Sequence, residues 1–149
     1  MESSGRFESH CAELDASLKP FQEGMRSLPE GGWGRAVRRA LGMSGEQLAR
    51  RVGVSRATIA TLERSEARGR ITLASLEKLA RGLGCRFVYA LVPEVSTSLT
   101  GIRRARARKL ARGRLASAPG ALVGGLDQRR QIERLTEELL AGSPRKLWE

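Results

Sequence analysis

The chain has 149 residues, with 27 Lys plus Arg against 16 Asp plus Glu and a formal charge of +11. Hydrophobic residues make up 40% and aromatics only 4%, the size of one domain with an appendage, whose core rests on Leu, Val, Ile and Ala. No run reaches the roughly 20 apolar residues of a membrane span and no basic-then-apolar leader opens the chain, so a cytoplasmic protein with no membrane partner is expected.

Cys11, Cys85 and the single histidine, His10, are too few for a Cys/His zinc site or a His-dependent triad within one chain. Neither metal nor cofactor is expected. Residues 1–32 hold three bases and six acids, residues 33–93 twelve and four, and residues 94–149 twelve and six. A basic middle and C-terminal part behind a mildly acidic start points to a polyanionic partner.

In residues 1–32, Phe7, Cys11, Leu14, Leu18, Phe21, Met25 and Leu28 recur at alternating steps of four and three. This stripe predicts an amphipathic helical segment that packs on the following domain or on a second subunit. Pro20 lies inside it and should kink or restart the helix, because it lacks an N–H and clashes one turn back. Pro29, Gly31, Gly32 and Gly34 then break the pattern, and a new domain is expected over 33–93.

Within that domain Val37, Ala40 and Leu41 supply an apolar period that Gly42 ends. Ser44 with Gln47 three residues on forms a capping box, and Leu48, Ala49 and Val52 make an inner face up to Gly53. Ser55 caps a further helix carrying Ile59 and Leu62, and Thr72 caps another carrying Leu76, Leu79, Ala80 and Leu83, with Gly84 as its stop. Residues 85–93, CRFVYALVP, are rich in β-branched and aromatic residues and predict a strand. A lone strand leaves backbone groups unpaired, so Phe87, Val88 and Tyr89 are expected to pair with the same strand of a second copy, giving a homodimer; a short N-terminal strand is the alternative partner.

Residues 94–149 are expected to be a basic linker and helical extension. Arg103, Arg104, Arg106, Arg108, Lys109, Arg112 and Arg114 stand together without an acid, interleaved with helix-forming Ala and Leu. The residues SAPGALVGG are a break, and Leu126, Ile132, Leu135 and Leu139 mark a last amphipathic helix before a terminal Leu147 and Trp148 that can dock. Arg103, Arg104, Arg106, Arg108 and Lys109 are candidates for a second DNA contact, the plainer reading being a solvated helix face. Cys11 and Cys85 are expected as small core residues, and Trp33 and Trp148 as packing anchors.

The most informative stretch is MSGEQLARRVGVSRATIATLERSE, residues 43–66. Two short helices joined at Gly53, Val54 and Ser55 have the spacing of a helix-turn-helix. Ala49 permits close helix approach, Gly53 allows positive φ, and Val54, Ile59 and Leu62 fix the second helix on the core. The residues LARRVGVS and TLE resemble the XRE-type, phage repressor and Cro helix-turn-helix family. That resemblance implies a mainly α, five-helix, lambda-repressor-like domain over residues 35–84, to which the strand and the helical N- and C-terminal extensions are added.

The same resemblance places the helix beginning at Arg56 in the DNA major groove. Arg56, Ala57 and Thr61 match positions facing base edges, and Ser55, Thr58 and Arg64 match positions near phosphates or groove walls. Arg56 can bond both acceptors of guanine. Gly45 stands where the family often has a phosphate-binding Gln, so Ser44 or Gln47 is expected to take over that contact. The turn of RSEARG delays the closing glycine to Gly69 and predicts a helix longer by a turn. Arg38 and Glu63 match an ion pair between helices, which orients the recognition helix.

GWGRAVRRALGMSGEQLARRVGVS, CRFVYALVP and the terminal LW also resemble the group called mobile mystery protein A. Members are often encoded on mobile elements beside a Fic-domain protein, which implies by analogy a regulator or an antitoxin-like partner. With no Gly-rich phosphate loop or nucleophile–base constellation in the sequence, an enzyme is not expected. The sequence is read as a transcriptional regulator, a repressor that binds double-stranded DNA as a dimer on a palindromic operator; the alternative is an antitoxin-like module that binds a neighbouring Fic-domain protein.

Overall fold

The computed structural model describes residues 2–24, 27–94, 97–118 and 125–149. Met25 of the N-terminal stripe and most of the expected break between Ser117 and Gly125 lie outside them. Among the described residues there are seven α-helices, one 3-10 helix and no strand. They form two compact units, one of residues 25–89 and one of residues 1–24 with 90–149.

Four helices build the first unit: α2 (Trp33–Ala40), α3 (Gly45–Val52), α4 (Arg56–Ala67) and α5 (Leu73–Gly82). Their ends follow from local chemistry. The Ser44 side chain accepts the Gln47 N–H while the Gln47 side chain accepts the Ser44 N–H, a complete capping box. Ser55 and Thr72 accept N–H groups at the starts of α4 and α5. Gly53 closes α3 at φ +79°, a left-handed conformation that a side chain would strain. Helix α4 runs to Ala67, and Gly69 follows at φ +66°.

Leu48, Ala49, Ile59, Leu79 and Leu83 are buried together, with Val37, Met43 and Val52 packed against them. Gly34 lets α2 approach α5: a Cβ there would lie 2.3 Å from Leu79 Cδ2, inside any real contact distance. Val54 is more than a third exposed and Leu41 more than half, so neither anchors this core. The domain thus has four helices where five were expected.

The expected strand over 85–93 is not formed. Gly84 at φ +73° ends the α5 turn, and the chain continues without a backbone ladder. A strand requires a partner, and the N-terminal segment proposed as one is helical over Glu2–Gly24. Phe87 and Tyr89 stack with ring centroids 5.8 Å apart. Val88 and Tyr89 are exposed.

The second unit joins α1 (Glu2–Gly24) to α6 (Leu99–Ala116), α7 (Leu126–Ala141) and a 3-10 turn, Pro144–Leu147. Helix α1 continues through Pro20 instead of restarting. Pro20 lies four residues from the helix end, where the missing N–H costs one bond, and Gln22 Nε2 ties that end to the carbonyls of Pro93 and Thr97, both at 3.1 Å. Asp15 fastens α1 to α6 by accepting the N–H groups of Leu99 (2.7 Å) and Thr100 (3.2 Å) and the Thr100 hydroxyl (2.9 Å). Burial pushes the Asp15 carboxyl up, but these three hydrogen bonds together outweigh it and hold its pKa below the ordinary value.

The core of this unit is made of Ala107, Leu140 and Leu147, with Leu110 and Leu139 against them. The fully buried Ala107 and Ala111 give α6 a small-residue face on which neighbours approach closely. Of the terminal pair, Leu147 is fully buried and Trp148 is 59% exposed; Trp33 is 57% exposed, so neither tryptophan is a packing anchor. Cys85 is exposed and Cys11 only partly buried, against the core role expected of both.

Candidate nucleic-acid interface

Helix α4 is held from its inner face and open on its outer one. Inside, Glu63 takes both Arg38 Nε (2.6 Å) and Nη2 (3.0 Å) in a bidentate pair, and Arg38 Nη1 reaches the Met43 carbonyl at 3.0 Å. Both side chains are largely buried. The hydrogen bond to Glu63 outweighs partial burial and raises the Arg38 pKa, which favours the charged guanidinium. Arg35 Nε stands 3.9 Å from the same carboxylate.

Sequence reasoning missed a second carboxylate. Glu66, one turn on and 6% exposed, accepts the backbone N–H groups of Trp33 (2.7 Å) and Gly34 (2.9 Å). It satisfies donors at the start of α2, where the helix dipole favours an anion and Gly32 offers no side-chain cap. The only signal in the sequence was its spacing of three from Glu63, which places both on one helix face. Arg51 was likewise missed: its Nε donates to the Gly82 carbonyl at 2.6 Å and joins α3 to the end of α5.

Outside, Ser55, Arg56, Ala57, Thr58, Thr61 and Arg64 are all exposed. Ser55 Oγ accepts the Thr58 N–H at 3.1 Å and lies 2.8 Å from Thr58 Oγ1, so both hydroxyls take part in the α4 cap. Arg64 Nη2 donates to Thr61 Oγ1 at 3.2 Å, which holds these two side chains together. Arg56 and Ala57 carry no side-chain hydrogen bond or ion pair among the described residues. The Arg56 stem passes the start of α3: a Cβ at Gly45 would lie 3.8 Å from Arg56 Cγ. Ser44 and Gln47 are exposed at the same end of α3, and the capping box uses the Gln47 carboxamide oxygen, leaving its NH2 as a donor.

Residues 35–89 match the helix-turn-helix family. The match covers α3, the Gly53–Ser55 turn and α4, so over these residues the first unit is similar to helix-turn-helix domains. No curated protein and no solved structure matches the chain. No helix among the described residues is long and apolar enough to cross a membrane, and no group of His, Cys, Asp and Glu among them could hold a metal ion.

The five cations expected to form a second DNA contact have different surroundings. Arg103 is buried, with Nη1 3.9 Å from Cys11 Sγ and Nη2 without a partner. Arg104 binds Glu133 (3.0 Å) and Glu137, and Arg108 binds Glu133 at 2.6 Å. Hydrogen bonding from Arg108 and then Arg104 outweighs slight burial and lowers the Glu133 pKa. Arg106 Nε donates to the Leu147 carbonyl at 2.6 Å. Of the five, Lys109 alone has an exposed side chain that is not engaged.

Proposed function

We propose that the chain is a sequence-specific DNA-binding transcriptional repressor that acts as a homodimer on a palindromic operator. The supporting observation is the arrangement of α3 and α4: α4 is clamped from behind by Glu63 and Glu66, while Arg56 and Ala57 are exposed without internal partners and the exposed Thr61 is bonded only to its neighbour Arg64. In this reading α4 enters the major groove, Arg56 reads a guanine, and Ala57 or Thr61 meets a thymine methyl. Ser44, Gln47, Ser55, Thr58 and Arg64 contact phosphates or groove walls. An unpaired guanidinium on a fixed helix has no internal ion pair to break before it meets a base or phosphate.

Dimerisation is assigned to Phe87, Val88 and Tyr89. Their backbone belongs to no helix or ladder, and the exposed Val88 and Tyr89 offer apolar cover to an antiparallel copy. A dimer sets its two recognition helices roughly 34 Å apart, one DNA turn. Val88→Asp is expected to convert the dimer to monomer in light scattering; a persisting dimer moves the interface elsewhere.

The decisive experiment is a mobility shift on DNA from upstream of the gene against random DNA of equal length, at about 0.15 M salt. A preference for the upstream DNA is expected. Equal retention of both, together with co-elution of a Fic-domain protein encoded nearby, would replace the repressor by the interaction module.

A further inference from the structure

The salt bridges between α6 and α7 fix their register. Arg104 pairs with Glu133 and Glu137, and Arg108, one turn later on α6, pairs with the earlier Glu133. Numbers rise on one helix as they fall on the other, so the helices are antiparallel. A further turn brings Arg112 level with Arg129 and Arg130 in the first turns of α7. Glu133 and Glu137 are therefore matched to α6 cations at the middle of the pair, and at the end where α6 finishes and α7 starts the cations outnumber the acids.

At that end Arg112, Arg114, Arg129 and Arg130 are exposed, with Lys109 exposed about one turn before Arg112, and none of their side chains forms a hydrogen bond or ion pair among the described residues. Asp127 is the one acid in the first turn of α7. Helix α7 begins at Leu126 behind Gly125, which supplies no side-chain cap, so the positive end of its dipole adds to the same potential. Like charges gathered at one end without internal partners oppose folding, and an external polyanion relieves that repulsion.

We infer that this end of the α6–α7 pair is a sequence-independent phosphate-binding surface for duplex DNA, separate from the recognition helix. It rests on the reading of the chain as a DNA-binding protein only for the choice of DNA as the polyanion. Among the described residues one exposed leucine, Leu126, adjoins the cluster, which is far from the apolar face an interfacial membrane helix presents. Arginine forks suit phosphate oxygens, and the cations extend over two helices, as contacts along a backbone require. The second contact is thus carried by Lys109, Arg112, Arg114, Arg129 and Arg130, and not by Arg103, Arg104, Arg106 and Arg108, which have partners inside the unit.

The test measures binding of the full chain to upstream and random duplexes across a salt series. Each phosphate contact contributes about 0.9 to the slope of log affinity against log salt, so R112Q/R129Q/R130Q should flatten the slope by roughly 2 to 3. It should weaken both duplexes alike and keep the preference between them. R134Q/R145Q/K146Q removes the same charge elsewhere in the unit and should flatten the slope by less than about 1. Equal flattening by both triple variants, or none by the first, overturns the proposal.

Single Arg129→Gln and Arg130→Gln variants, each expected to lose about one phosphate's share of the slope, repeat the test with little demand on folding. Loss of binding to phosphatidylserine vesicles with an intact DNA slope would assign the surface to membranes and also overturn it. A steep slope that the first triple flattens, without any preference for upstream DNA, would leave this surface standing while the repressor reading falls. A clear preference with a slope indifferent to the triple would do the reverse.

Discussion

Arg56 at the start of α4 and the four arginines of the first part of α6 stand in opposite relation to their own units. On α4 the two buried acids, Glu63 and Glu66, hold the helix in place from behind, and Arg56 on the outer face is left unengaged. On α6 the density of arginine is far higher, yet Arg103, Arg104, Arg106 and Arg108 are turned to a thiol, two glutamates and a backbone carbonyl within the unit. Charge per residue therefore says little about which helix meets a polyanion. What matters is whether an acid or a carbonyl lies within reach in the folded chain, and on α4 the acids lie on the other face.

The sharpest way to break this contrast is to remove the clamp behind α4. Arg38→Met leaves the Glu63 carboxylate in a largely buried place with only Arg35, 3.9 Å away, to answer it. A loss of about 2–3 kcal/mol is expected, read by denaturant unfolding with Trp33 as the probe in a Trp148→Phe background. An unchanged midpoint would mean that the pair holds nothing. A similar loss of energy, about 1–3 kcal/mol, is expected for Arg56→Ala, but in binding and only on the specific duplex. Equal loss on random DNA would reduce Arg56 to a phosphate contact.

Within the second unit, Arg106→Ala should lower stability by about 1–2 kcal/mol, because the Leu147 carbonyl loses a charged donor. Followed by Trp148 in a Trp33→Phe background, this loss should leave the specific preference for DNA untouched. A variant that instead loses the preference would place Arg106 among the readers. The smallest effect is expected at Asp15. Its pKa is lowered in the folded chain, so its contribution is complete above the ordinary carboxylate value of about 3.9 and disappears as pH falls through the lower folded value. The stability difference between wild type and Asp15→Asn should therefore be present at pH 7 and shrink by pH 3; a constant difference would show that the Asp15 charge is idle.

The legibility of this molecule follows sequence distance. Ser44 with Gln47, Ser55, Gly53, Thr72 and the delayed Gly69 all act within a few residues, and each stands in the structure as the pattern suggested. The 85–93 segment reads as a strand because its residues suit one, but propensity supplies no partner ladder, and the N-terminal candidate is a helix. Glu66 escaped notice because its partners, the backbone N–H groups of Trp33 and Gly34, lie more than 30 residues away and have no side-chain signature. Trp33 and Trp148 look like anchors by size, yet Leu147 takes the interior place beside one of them.

By itself the sequence determined where helices start and stop around residues 44–72 and that a helix-turn-helix lies there, since caps, positive-φ glycines and a 3.6-residue apolar period are local consequences of backbone geometry. Only the tertiary structure decided that Asp15 fastens α6 from 84 residues away, that α1 joins the C-terminal helices in one unit, and which arginines are free. A charged side chain reaches a few ångströms in any direction, and what lies there is set by packing between distant segments, which no spacing along the chain encodes.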